Sequence, residues 1–172
     1  MKRSLLFAAL AALMLFGPMR PTWAQAAQSG AEGQVTGLSL PRLVSIRVDE
    51  VNVRTGPGLR YPVSWVFQRR HMPVEIVAEY ENWRRIRDWE GSEGWVHRSM
   101  LSSERSLLVL KDTMTIRRDR ADTAAAVARL APGMVVTASA CDSEWCRVTA
   151  DGYRGWLRRD GTWGLYPGET FD

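Results

Sequence analysis

Apolar and polar residues alternate over short stretches along most of this chain, and turn residues interrupt them every few positions. Val51 and Val53 alternate with Asn52 and Arg54, the pattern of a half-buried strand. That strand runs into Gly56-Pro57-Gly58, where glycine is expected to supply a positive φ and proline fixes its own φ. Pro62 biases Tyr61 to an extended conformation. Val63, Trp65 and Phe67 form the next alternating set, and Val74, Ile76 and Ala78 another after Pro73. Trp83 through Trp95 contains Ile86, a polar loop from Asp88 to Gly94, and then Gly94-Trp95-Val96. Between Val48 and Val51, Asp49-Glu50 shifts the phase, which predicts a tight turn or bulge. No stretch carries a helical period. Short strands at this density predict an all-β chain, a small barrel or sandwich.

The pattern then recurs. Met114-Thr115-Ile116-Arg117 echoes Val51-Asn52-Val53-Arg54, and Ala131 to Val136 echoes His71 to Val74. Trp145-Cys146-Arg147-Val148 echoes Trp83-Arg84-Arg85-Ile86, and Gly155-Trp156-Leu157 echoes Gly94-Trp95-Val96. The second copy lacks Gly-Pro-Gly. Its counterpart, Arg118 to Asp122, is polar and expected to be longer or more mobile. In this alignment Cys141 and Cys146 fall where the first copy has Glu79 and Arg84. A disulfide in one copy and opposite charges in the other are consistent with positions that face each other across a hairpin. A metal pair is the competing reading for the cysteines, and it lacks two further ligands at suitable spacing. Each repeat has about 60 residues, a size that is marginal alone, so two repeats packed together with a staple in one of them is a workable solution.

The N-terminus reads as an export signal. Lys2 and Arg3 precede an apolar run of 12 residues, Leu5 to Phe16, and small residues at Ala24 and Ala26 offer cleavage sites. The run is short for a membrane span, which needs about 20 residues; an uncleaved anchor is the alternative. The expected division is a signal at 1–24, a flexible leader at 25–42, a first domain at 43–104, a second at 105–166 and a C-terminal tail at 167–172. Export also favours the disulfide over free thiols. Signal removal changes the charge argument. The whole chain carries 23 basic and 19 acidic residues. Loss of Lys2, Arg3 and Arg20 leaves 20 against 19, so no global basic field for nucleic acid remains.

The residues Asp49 to Gly58 with Tyr61-Pro62, Trp83 to Arg87, and Glu93 to Arg98 carry a resemblance. So do Trp145 to Val148, Gly155-Trp156-Leu157 and the tail Trp163 to Glu169. From about Leu40 onward the chain resembles exported tandem bacterial SH3-like (SH3b) proteins of the SH3_4 type, found in α-proteobacteria. The resemblance implies two SH3-like barrels in the cell envelope. It also implies binding rather than catalysis, with cell-wall or peptide ligands. No cofactor and no metal are expected from the residues.

Trp83, Trp95, Trp145 and Trp156 stand at repeat-equivalent positions and are expected to serve packing. With Asn52, Arg54, Gly56, Pro57 and Gly58 they make up the structural motif. Tyr61, Trp65 and Trp89 have no aromatic equivalent in the second copy, and Arg69-Arg70 lie nearby in sequence. These five are the candidate ligand-binding residues, for an extended peptide or a sugar face. The paired arginines, Arg69-Arg70, Arg84-Arg85, Arg117-Arg118 and Arg158-Arg159, are otherwise expected on solvated faces or beside carboxylates. Asp88, Glu90 and Glu93 resemble a glycosidase carboxylate cluster but fall in a hairpin loop, where a raised pKa is hard to arrange. They read as a solvated loop, and His97 as a structural hydrogen-bonder. A purely structural assembly module and a weak wall hydrolase using Glu90 and Glu93 are the alternatives.

Overall fold

The computed structural model describes residues 31–172. The stretch read as an export signal and the start of the leader lie outside them. Strands dominate: β1 (Ala31–Glu32), β2 (Ser39–Leu40), β3 (Arg42–Ile46), β4 (Val51–Arg54), β5 (Val63–Phe67), β6 (Pro73–Tyr80), β7 (Trp83–Arg87), β8 (Glu93–His97) and β9 (Leu101–Ser102) belong to the first half. The second half holds β10 (Ser106–Val109), β11 (Met114–Arg117), β12 (Ala126–Leu130), β13 (Val135–Cys141), β14 (Trp145–Ala150), β15 (Tyr153–Arg158) and β16 (Thr162–Trp163). A 3-10 turn, Arg98–Met100, links β8 to β9.

The two halves have the same topology. One seven-stranded sheet runs β5-β4-β8-β7-β6-β3-β9, the other β12-β11-β15-β14-β13-β10-β16. Both curl around a core of alternating inward residues, as the sequence pattern requires. Val51, Val53, Val74, Ile76, Ile86 and Val96 fill the first core. Ile116, Leu130, Val136, Val148 and Leu157 fill the second, at matching positions. Two tandem small β-barrels are therefore present, as the repeat and the resemblance imply.

Three expectations need correction. First, neither Gly56 nor Gly58 has a positive φ. Gly56 is required for space: a Cβ there would lie 2.4 Å from the Tyr61 ring. Second, the loop of the second copy is not longer. Eight residues separate Arg54 from Val63, and eight separate Arg117 from Ala126. Both loops close with the same hydrogen bond, Thr55 N–H to Pro62 O and Arg118 N–H to Ala125 O, each 3.0 Å. Third, the leader is not featureless up to residue 42. β1 and β2 pair as a hairpin, and the loop between them docks on Glu79. The tail also packs: Phe171 bridges to Cys141 through two backbone hydrogen bonds.

The halves pack against each other through β10. All four of its residues are buried. Leu107 and Val109 point into the second core, whereas Leu108 joins the first. A strand covered on both faces reads as a continuous apolar run rather than an alternation. Ser106-Leu107-Leu108-Val109-Leu110 is such a run.

Candidate functional site

Arg54 and Arg117 play one role in the two repeats. Arg54 Nη1 donates to the carbonyls of Leu59 (3.2 Å) and Tyr61 (2.8 Å), and Arg117 Nη1 to that of Ala124 (2.8 Å). Each braces the loop after its strand. Asn52 is an exposed strand position opposite Val66. Tyr61 lies over Gly56, with Arg60 stacked 5.1 Å from its ring. Trp65 meets Phe67 edge-on at 6.3 Å and leans towards Gly94. Tyr61 and Trp65 therefore serve the β4–β5 loop and the first core.

The four motif tryptophans sit on β7, β8, β14 and β15. Trp145 is buried, and the other three are half-buried. Their partners are conserved in geometry but not in chemistry. Trp83 packs edge-on against His97 at 5.6 Å, while at the equivalent place Trp145 lies under the Arg158 guanidinium at 4.5 Å. Trp156 is covered by Arg120 at 4.0 Å. The hairpin reading of the cysteines holds: Cys141 faces Cys146 in the β13–β14 register and the two form a disulfide, as Glu79 faces Arg84 in β6–β7. Arg84 Nε lies 3.4 Å from Glu79 Oε1.

Trp89 is placed differently from Tyr61 and Trp65. It stands at the junction of the repeats and lines two cavities there. One, of about 380 Å³, includes Arg69, Met72, Leu108 and Pro132. Arg69 donates to the Gly133 carbonyl across this junction. Arg70 is exposed and faces a neighbouring hollow beside Val135 and Thr149. The other cavity, of about 430 Å³, is an open cleft lined by Trp89, Trp163, Tyr166, Glu75 and Arg87. Of the five candidates, then, Trp89, Arg69 and Arg70 gather along the junction. Tyr61 and Trp65 do not join them.

The floor of the cleft is an internally neutralised ion pair. Glu75 is buried and takes two donors from Arg87, Nε at 2.8 Å and Nη2. Its other oxygen accepts from the Tyr166 hydroxyl at 2.6 Å, a bond between the repeats. Burial pushes the Tyr166 phenol well above its usual range, and the Glu75 carboxylate adds to that. Tyr166 thus stays a neutral donor. Tyr166 is itself held by Glu169, whose Oε2 accepts from its backbone N–H at 2.9 Å. Burial opposes ionisation of Glu169, but the Arg105 hydrogen bonds, the Tyr166 amide and the charges of Arg105 and Arg159 together outweigh it and keep that carboxyl low. With charge satisfied below and aromatic rings around it, the cleft suits uncharged, hydroxyl- or amide-rich material.

Asp88 departs from the solvated loop expected of it. It is buried, and its Oδ1 accepts from the backbone of Glu90 (3.0 Å) and Ser92 (2.9 Å). Glu93 sits between Arg85 (2.8 Å) and Arg87 (3.8 Å). Most arginines of the paired runs likewise have partners: Arg158 holds Asp122 and Glu144, and Arg159 caps the carbonyls of Asp142, Tyr166 and Glu169. Glu75, Trp163 and Tyr166 were not among the sequence candidates. The signal for two of them was the aromatic tail Trp163 to Tyr166, which has no counterpart in the first repeat.

The chain matches the family described as "Bacterial SH3 domain" twice, over residues 47–103 and 111–164. It belongs to the bacterial SH3 domain family. The two matches coincide with the two barrels, and β10 opens the second just before the matched span. Bacterial SH3 domains are ligand-binding modules, with cell-wall components among their ligands. No curated protein matches the chain. Among solved structures it is similar to NlpC2 from Trichomonas vaginalis, at 13% identity and a TM-score of 0.33, over 73% of this chain and 48% of that one. It is similar also to an NlpC/P60 family protein from Bacillus cereus, at 15% identity and 0.33, over 70% and 55%. The chain spans about half the length of each. A likeness this low carries no function across.

Proposed function

We propose that this tandem bacterial SH3 protein is an exported, non-enzymatic binding protein of the cell envelope. It takes peptidoglycan-type or peptide material into the cleft between its repeats. The observation that carries this reading is the convergence of Trp89 from the first repeat with Trp163 and Tyr166 from the second over a neutralised Glu75–Arg87 pair. Such a cleft can stack a sugar face or clamp an extended backbone without demanding charge. Of the two carboxylates of the rival hydrolase reading, Glu93 is paired with two arginines, while Glu90 is exposed at the cleft; the nearby Asp88 caps its own loop. Cys141 and Cys146 are joined, so neither offers a thiolate. The apolar stretch Leu5 to Phe16 is read as the export signal, with cleavage after Ala24 or Ala26.

Co-sedimentation with purified peptidoglycan sacculi tests the proposal. The protein is expected to pellet with sacculi, and Trp89→Ala to lose most of that binding while keeping its circular dichroism. Equal binding by Trp89→Ala would move the site elsewhere, and no pelleting at all would remove the wall as ligand. Release of soluble muropeptides, abolished by Glu93→Gln, would instead establish the hydrolase.

A further inference from the structure

A further cavity, of about 470 Å³, lies on the first repeat away from the junction, between the leader hairpin, β3, β7 and the 3-10 turn. Arg42, Arg47, Arg84 and Arg98 line it, with His97 and Ser102 at its edge. Of these four guanidiniums, only those of Arg42 and Arg84 approach a carboxylate, that of Glu79. Glu79 is already saturated: Arg42 Nη2 (2.6 Å), the Thr36 hydroxyl (2.8 Å) and the backbone N–H groups of Val35 and Thr36 all donate to it. Arg42 Nη1 is buried with no hydrogen-bond partner among the described residues. Arg47 and Arg98 are exposed and, among the described residues, pair with no carboxylate. Arg42 and Arg98 lie close enough to Arg84 to repel its charge.

The other repeat shows what this corner can hold. By strand register, Arg42 corresponds to Arg105, Arg98 to Arg159, and Glu79 to Cys141. In the second repeat the chain's own tail fills the corner. Arg105 takes the Glu169 carboxylate through two bonds, 2.6 and 3.0 Å, and stacks on Phe171 at 4.9 Å. Arg159 donates to the Glu169 and Tyr166 carbonyls. The same fold position thus seats an acidic, extended peptide segment internally. In the first repeat the described part of the leader satisfies Glu79 but brings no carboxylate to Arg47 or Arg98.

We propose that the cavity lined by Arg42, Arg47, Arg84 and Arg98 binds a carboxylate borne on a peptide-like ligand, at the position where Arg105 and Arg159 hold the tail in the second repeat. Guanidinium forks match a carboxylate in bidentate geometry, and a charge-assisted pair in a concave site is stronger than an open surface pair. The site is separate from the aromatic cleft, so either can fail without the other.

The test is a titration of the full protein with N-acetyl-Gly-Glu-amide at constant ionic strength, followed by amide chemical shifts. N-acetyl-Gly-Gln-amide is the control. The acidic dipeptide is expected to give saturable shifts at Arg98, Ser99 and Ser102, and the amide control none. Arg47→Gln/Arg98→Gln removes two exposed side chains that make no side-chain hydrogen bond or ion pair among the described residues, so the fold is expected to stay intact by near-ultraviolet circular dichroism. Affinity is expected to fall about tenfold or more in that variant. Shifts that do not saturate, that match for both dipeptides, or that persist in the double variant overturn the proposal.

Discussion

At the scale of single residues, Gly56 and Gly155 are held by their neighbours rather than by backbone dihedrals. Gly56 has no room for a methyl because the Tyr61 ring rests on it. In the second repeat the corresponding residues are Asp119 and Ala124, by the matched loop lengths. Where the ring is gone, the glycine is gone too. Gly56→Ala is therefore expected to destabilise by about 1–3 kcal/mol, the usual range for overpacking. The same change in a Tyr61→Ala background should cost well under that. Urea denaturation of the two singles and the double checks it, and additivity would refute the pairing. Gly58→Ala serves as an internal reference, since its Cβ would meet Tyr61 only at an ordinary 3.4 Å. Gly155 is the stricter case. A Cβ there would lie 2.3 Å from the Arg117 carbonyl, and backbone cannot move aside as a side chain can. Gly155→Ala should cost more than Gly56→Ala.

At the scale of elements, one hairpin position is solved twice. The β13–β14 hairpin is stapled covalently and the β6–β7 hairpin electrostatically. Reducing Cys141–Cys146 should cost about 2 kcal/mol, because the loop it closes is short. The electrostatic version must respond to pH. Burial works against ionisation of Glu79, but Arg42, Thr36 and the Val35 amide outweigh it and hold its carboxyl down to about 2. Its folded value lies below its unfolded one, so the stabilisation is fully present above the ordinary carboxylate range and is lost as pH falls towards 2. Chemical shifts of the Val35 and Thr36 amides, followed from pH 6 to pH 2, should show the leader hairpin releasing only at the acid end of that window. Glu79→Gln should release it at neutral pH. The repeat alignment made the Glu79–Arg84 and Cys141–Cys146 facing legible in advance, because hairpin register follows from the apolar alternation. The leader docking was not legible: Thr36 and Val35 carry no pattern until Glu79 is placed beside them. Of the aromatic candidates only Trp89 reached the cleft. Uniqueness to one repeat could not tell a ring that braces a loop, such as Tyr61, from one that faces the other repeat.

At the scale of the whole molecule, the question is whether two barrels of about 60 residues behave as one body. The junction is made chiefly by β10, which belongs to the second sheet and yet gives Leu108 to the first core. Its register equivalent in the first repeat is Ser45, a polar residue. The chain has thus placed a leucine where only the inter-repeat contact needs one. Three residues separate β9 from β10, so the linker leaves little freedom of its own. Val135 and Trp163 extend the contact on the same side, and the Tyr166–Glu75 bond closes it at the cleft. Leu108→Ala should remove the central apolar contact at a cost of about 2–5 kcal/mol. Because Leu108 ties the second sheet to the first core, its loss should change the shape of unfolding as well as its midpoint. The parent is expected to melt in one calorimetric transition, and Leu108→Ala in two, with the disulfide-stapled second repeat the later. The same variant should weaken sacculus binding, since Trp89 and Tyr166 face each other only while the barrels are docked. Tyr166→Phe separates the effects: it deletes one hydrogen bond at the cleft and leaves Leu108 in place, so it should reduce ligand binding while preserving a single transition. A single transition in Leu108→Ala with unchanged binding would show that the barrels are coupled by something other than β10.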